Sequence, residues 1–141
     1  MSYFKIKGVL PPMITPFDEN DNVDYDKFAN NVEKWNDYDL AGYLVLGSNS
    51  ETVYLTEEEK LKLIELTVKH RKEGKIVMAG TGMESTRDTI ALTNKAADLG
   101  ADCALILTPF YYGGKMNDEA LINFFTEVAD IVKIVVLIYT V

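Results

Sequence analysis

The sequence predicts an α/β protein in which parallel strands alternate with helices. Three observations carry that prediction. Five short apolar runs recur along the 141 residues, four amphipathic stretches separate them, and the repeat is nearly regular. The runs are Val9 to Phe17, Gly42 to Gly47, Ile76 to Gly82, Cys103 to Phe110 and Ile134 to Val141. All are rich in Val, Ile, Leu or Tyr, and most are bounded by Gly, Pro or Asn, as strands are. They are apolar at consecutive positions instead of alternating, which marks strands covered on both faces, as in parallel sheets.

The stretches between them read as helices. In the first, Tyr25, Phe28, Val32 and Trp35 fall at steps of three and four behind Asp24, a candidate cap. The second opens with Thr56-Glu57-Glu58-Glu59, a capping box in which Thr and Glu satisfy each other's orphan amides. Leu61, Ile64 and Val68 mark its expected buried stripe. The third starts near Ser85-Thr86 and ends at Gly100, where glycine can take the left-handed C-terminal conformation. The fourth begins at Asn117 and Asp118 and carries Leu121, Phe124, Phe125 and Val128 on one face.

The order is therefore strand–helix four times, then a fifth strand. With roughly 31 residues to a βα unit, as in eight-unit TIM barrels, the chain holds about four and a half units. Two architectures read this way: half of a barrel, and an open five-stranded flavodoxin-like sheet. Pattern alone favours the open sheet, because it is complete at this length. No linker or low-complexity segment interrupts residues 1–141, so one domain is expected.

Composition narrows the function classes. The chain is 48% hydrophobic, 26% charged and 11% aromatic, an ordinary globular balance. Its net charge is −8, and Lys and Arg form no stripe, which argues against nucleic acid and anionic membrane partners. No apolar run approaches the roughly 18 residues that span a bilayer. The start, MSYFKIKG, has no secretory apolar stretch, and the one cysteine, Cys103, permits no internal disulfide. These readings predict a cytoplasmic protein.

Chemistry in parallel α/β folds sits at the C-terminal ends of the strands. Those ends carry Thr15-Pro16-Phe17, Gly47-Ser48-Asn49-Ser50-Glu51, Gly80-Thr81-Gly82, Thr108-Pro109-Phe110-Tyr111-Tyr112 and Tyr139. The set is rich in hydroxyls and has no His/Cys cluster, so no metal site is predicted. The lone histidine, His70, falls late in a helix and reads as a surface residue. No P-loop or dinucleotide fingerprint is present, and no cofactor is expected. Backbone amides of the small polar turn at 47–51 can hold a carboxylate, although such turns also serve as plain connectors. A hydroxyl at Ser48 and a phenol at Tyr139 on one rim can relay protons. Tyr139 reads equally as a packed interfacial aromatic.

Taken together, GVLPPMITPF at 8–17, GSNSE at 47–51, LTEEE at 55–59, AGTG at 79–82, LGAD at 99–102, TPFYY at 108–112 and LIY at 137–139 resemble the dihydrodipicolinate synthase and N-acetylneuraminate lyase family. The resemblance covers the whole chain, and CALILTPFYYGGKM is most similar to the 4-hydroxy-2-oxoglutarate aldolase branch. It implies a TIM barrel and class I aldolase chemistry on pyruvate or another 2-oxo acid, without metal. In such enzymes a lysine on the sixth strand forms a Schiff base, and the iminium accepts the electron pair left by the methyl proton. Ser48 then matches the hydroxyl of the proton relay. Asn49 matches the position whose amide helps hold the pyruvate carboxylate. Tyr139 matches the catalytic tyrosine, and Tyr111 or Tyr112 the tyrosine that reaches into a neighbouring subunit's site.

Two departures qualify that reading. Ser50 stands where the family's turn usually has glycine, and a left-handed angle there would cost about 1 kcal/mol. The chain also ends at Val141, before a sixth strand, so the Schiff-base lysine is expected to be absent. Lys75 and Lys133 precede strands and fall at the opposite face. Lys115 falls on the correct face in a glycine-rich, solvated loop, where amines are protonated and poorly nucleophilic. The expectation is the N-terminal half of a pyruvate-dependent aldolase or lyase, without turnover alone. The alternatives are a free-standing half-barrel scaffold that self-associates and a flavodoxin-like binding module. Unpaired edges on a cut barrel predict a homo-oligomer, most simply a two-fold dimer.

Overall fold

The computed structural model describes residues 5–140; Val141, the last residue of the fifth predicted run, lies outside them. Among the described residues four α-helices and four strands alternate: α1 (Tyr25–Trp35), β1 (Gly42–Val45), α2 (Glu57–His70), β2 (Ile76–Gly80), α3 (Thr86–Asp98), β3 (Cys103–Leu107), α4 (Asp118–Ile131) and β4 (Val135–Tyr139). Each helix begins where its capping residue dictates. Asp24 accepts from the Lys27 amide, Ser85 from Asp88 and Asn117 from Ala120, while Thr56 and Glu59 close a reciprocal capping box. Gly100 takes φ 98° just beyond α3, as the sequence predicts.

All four strands are parallel and follow chain order, β1-β2-β3-β4. This order decides between the two architectures. In a doubly wound sheet the order reverses at a switch point and helices cover both faces. Here every crossover steps the same way, so crossovers of the usual hand put all helices on one face. The packing agrees. Tyr43, Val45, Val77 and Ala79 share a core with Phe28, Val32, Leu63 and Ile64 of α1 and α2. Ala104 and Ile106 pack with Phe124 and Val128 of α4. The flavodoxin-like alternative is excluded, and the sheet is a section of a barrel wall.

The run Val9 to Phe17 departs from expectation. It lies parallel beside β1, with Ala41 N–H donating to Val9 O (2.9 Å), Leu44 N–H to Pro11 O (3.0 Å) and Met13 N–H to Leu44 O (2.8 Å). It nonetheless forms only single bridges, Pro12 to Leu44 and Phe17 to Val23. Val9, Pro11 and Met13 turn their backbone groups toward β1, and Pro11 has no N–H to give there, so the ladder is interrupted.

The buried side of α2 also differs from the predicted stripe. Lys60, Leu63, Ile64, Leu66 and Thr67 are buried, whereas Leu61 faces a groove between α2 and α3 that includes Leu99. Thr67 can be buried because its hydroxyl donates to Leu63 O at 2.7 Å. At the N-terminal ends of the strands, the Asp102 carboxylate receives both the Arg71 guanidinium and the Val77 amide (2.8 Å), tying β3 to β2 and the end of α2. His70 pairs with Glu33 at 2.7 Å and is only partly exposed, so it joins α1 to α2. No helix among the described residues is long and apolar enough to cross a membrane.

Candidate functional site

The C-terminal rim is assembled from three connections. After β1 the chain turns left-handed at Leu46 (φ 64°), makes a short 3-10 turn over Ser48–Ser50, and turns left-handed again at Glu51 (φ 55°). A second short turn, Thr52–Tyr54, leads into the capping box of α2. The expectation of a left-handed angle at Ser50 is therefore corrected: the two positive angles fall at Leu46 and Glu51. Ser50 is instead a staple. It is 1% exposed, its hydroxyl donates to Met13 O at 2.5 Å, and its own carbonyl accepts from the Thr15 hydroxyl at 2.8 Å. Both bonds bridge the first run to the turn, across 37 and 35 residues of sequence.

Pinning Ser50 leaves its neighbours outward. Ser48 and Asn49 are exposed, and no side chain caps the turn's first amides. The first N–H groups of a helical turn have no acceptor within it. They are donors presented to solvent or to an anion.

Tyr139 closes β4 beside Leu107, and its carbonyl accepts from the Thr108 amide at 3.4 Å. Strand alternation puts its side chain opposite the helix-packed Val136, on the sheet face away from the helices. It is 48% exposed. Ser48 and Tyr139 thus share a rim, at the ends of the first and last of the four strands of a curved sheet. Among the described residues no hydrogen bond joins them.

Tyr111 and Tyr112 follow β3 in an exposed loop, stacked edge to face at 4.9 Å between centroids. With Pro109 and Met116 they form one wall of a cleft of about 300 Å³, faced by Met83, Glu84, Ser85 and Asp88. A larger cavity of about 630 Å³ lies on the helical layer around Leu61 and Leu99 and includes none of the rim residues above.

The lysines fall as their sequence positions imply. The Lys75 amine donates to the Tyr38 and Leu40 carbonyls, and the Lys133 amine binds Asp98. Both are held away from the rim. Lys115 is exposed in the loop beyond Tyr112. Lys60, near the start of α2, has an amine whose pKa burial lowers. Cys103 is buried, and burial followed by the Asp102 charge pushes its thiol up to about 12. It offers no thiolate nucleophile near neutrality.

Sequence reasoning placed Thr15 on the rim but missed it as the partner of Ser50, and it missed Glu84 as the partner of the aromatic loop. Neither carries a local signal, because each acts on a segment more than 25 residues away in sequence.

Comparison with known proteins accounts for the whole chain. A model of the dihydrodipicolinate synthetase family matches residues 5–141. The 4-hydroxy-tetrahydrodipicolinate synthase of Bacillus velezensis is 36% identical over 136 residues, which are 96% of this chain and 46% of that protein. The crystal structure of dihydrodipicolinate synthase from Aquifex aeolicus superposes with a TM-score of 0.89 at 37% identity, covering 96% of this chain and 45% of the other. The Acinetobacter baumannii dihydrodipicolinate synthase, a chloride-inhibited form complexed with pyruvate, gives 0.89 at 30% identity over 97% and 46%. The chain spans slightly less than half the length of each.

Proposed function

The chain belongs to the dihydrodipicolinate synthetase family, and on that premise we propose that it carries the carboxylate-binding and proton-relay half of a pyruvate-dependent class I aldolase or lyase. The finer assignment is the 4-hydroxy-2-oxoglutarate aldolase branch, which rests on the serine-asparagine turn and the Tyr111-Tyr112 loop.

The observation that carries this reading is the stapled turn. Ser50 and Thr15 fix its backbone from behind, so Ser48 and Asn49 face outward at the strand ends. Amides held in that way lose little conformational freedom when they receive a carboxylate. In the proposed reaction, an unprotonated lysine amine attacks the keto carbon of pyruvate and water leaves, giving an iminium. A methyl proton is then removed, and its electron pair becomes the enamine. Asn49 holds the carboxylate through its backbone amide. The Ser48 and Tyr139 hydroxyls pass protons to and from the keto oxygen and the methyl carbon. Tyr111 or Tyr112 extends the relay toward a neighbouring subunit. The amine itself comes from the strand that follows β4 in a complete barrel. Lys75 and Lys133 are bonded away from the rim, and Lys115 lies in an open loop.

The test is borohydride reduction of the 141 residues with pyruvate, followed by intact mass. No pyruvyl adduct is expected. A stoichiometric adduct mapped to Lys115 or another lysine would overturn the assignment of these residues to the amine-free half.

One observation favours a second reading, a self-associating scaffold. On β4, Val135, Ile138 and Tyr139 are each about half exposed beside an unpaired strand edge. A light-scattering mass that is a multiple of 15.8 kDa is the signature of that state.

A further inference from the structure

We propose that Glu84 is a positioning residue that sets the loop bearing Tyr111 and Tyr112, by holding the two successive backbone amides at Phe110 and Tyr111. The inference rests on the role given to those tyrosines above. It concerns how the loop is placed, not which proton it moves.

The geometry is a chain of contacts starting inside the protein. Thr89, fully buried on α3, accepts the Met83 amide at 3.0 Å and donates to the Met83 carbonyl at 3.2 Å. One hydroxyl therefore fixes both backbone groups of the residue before Glu84. The Glu84 carboxylate then reaches across to the loop after β3. Its Oε2 accepts from Tyr111 N–H at 2.9 Å and from Phe110 N–H at 3.2 Å. Bonds from amides to an ionised carboxylate are among the stronger ones in proteins. Two adjacent amides on one carboxylate fix the orientation of the peptide plane as well as its position.

Besides the clamp, the loop is held by a short turn of its own, in which Gly113 N–H donates to Phe110 O at 3.1 Å and Lys115 N–H to Tyr112 O at 2.7 Å. These bonds tie the loop to itself, whereas Glu84 ties it to the segment before α3. Phe110, Tyr111 and Tyr112 are 60%, 73% and 71% exposed, so burial does not order them. Gly113 and Gly114 follow, with open space around both. Backbone as permissive as this samples many conformations unless a specific contact selects one. The edge-to-face tyrosine pair sits directly on the clamped peptide. Removal of the clamp frees the pair without opening the core, because the clamp lies at the surface of the sheet's end.

Amide hydrogen exchange at single-residue resolution, on the chain as it exists, tests this. In Glu84→Ala, the Phe110 and Tyr111 amides are expected to exchange at least about tenfold faster. The core amides of Ala79 and Ala104 and the urea midpoint should stay unchanged. Glu84→Gln keeps an acceptor oxygen and is expected to restore much of the protection. Unchanged exchange at Phe110 and Tyr111 in Glu84→Ala would overturn the proposal. A uniform loss of protection including Ala79 and Ala104 would overturn it too, since Glu84 would then act on global stability. None of these readouts depends on pyruvate chemistry, so failure of the clamp and failure of the proposed function are separately visible.

Discussion

Replacing Ser50 tests the turn at the centre of the site. A glycine there would relieve strain only if the backbone were left-handed, and the left-handed residues are Leu46 and Glu51. The substitution instead removes a hydroxyl that donates to the Met13 carbonyl at 2.5 Å, between residues that are each 1% exposed. Leaving a buried carbonyl without that donor costs about 1–3 kcal/mol. Ser50→Ala is therefore expected to lose about 1–2 kcal/mol. Ser50→Gly is expected to lose a further ~0.5–1 kcal/mol from the greater freedom of the unfolded chain. For a chain of this length each kcal/mol corresponds to about 3 °C in Tm. Urea unfolding followed by circular dichroism measures the loss, with an unchanged slope confirming that the denatured state is comparable. Thr15→Val should couple to Ser50→Ala in a double-mutant cycle, because both side chains staple the same two segments. A glycine variant equal to or more stable than the parent would refute the reasoning, since it would mean that the hydroxyl bond contributes nothing.

Two further outcomes follow from the titrating groups. Asp18 is held below the ordinary carboxylate value of 3.8 chiefly by the Asn22 and Asn20 amides, and Asp24 by the Lys27 ammonium and then the Lys27 amide. Their stabilisation is fully present above the unfolded value and is lost as pH falls through the lower folded values, so Tm should drop below about pH 4. Asp18→Asn combined with Asp24→Asn should flatten that acid slope; an unchanged slope would show that these carboxylates do not drive it. Cys103, with its thiol pushed up to about 12 by burial and then by Asp102, should resist iodoacetamide at pH 8 until the chain is unfolded. Full alkylation of the native protein at the rate of the unfolded one would contradict the buried placement.

The sequence by itself determined the alternation of elements and where each helix begins. Those features are local: a cap and its acceptor lie three residues apart, so Asp24, Thr56 with Glu59, Ser85 and Asn117 can be read directly. It also pointed to the rim, because strand ends and small polar turns announce themselves. It misread two elements for physical reasons. Pro11, without an N–H to give toward β1, interrupts the ladder of an otherwise strand-like run. On α2, Lys60 and Thr67 are buried beside Leu63 and Ile64 because a long aliphatic stem and a self-satisfied hydroxyl can occupy an apolar face. Half barrel and open sheet share one pattern of elements; the family motifs pointed to the half barrel, and the strand order, a property of how distant segments meet, bears it out. Only the tertiary structure decided the rest. Ser50 looked like a strained substitute for glycine until Met13, 37 residues away, supplied its acceptor. Glu84 had no visible role until the amides of Phe110 and Tyr111 arrived beside it. Such contacts are set by the packing of whole βα units, which places residues distant in sequence within hydrogen-bond range.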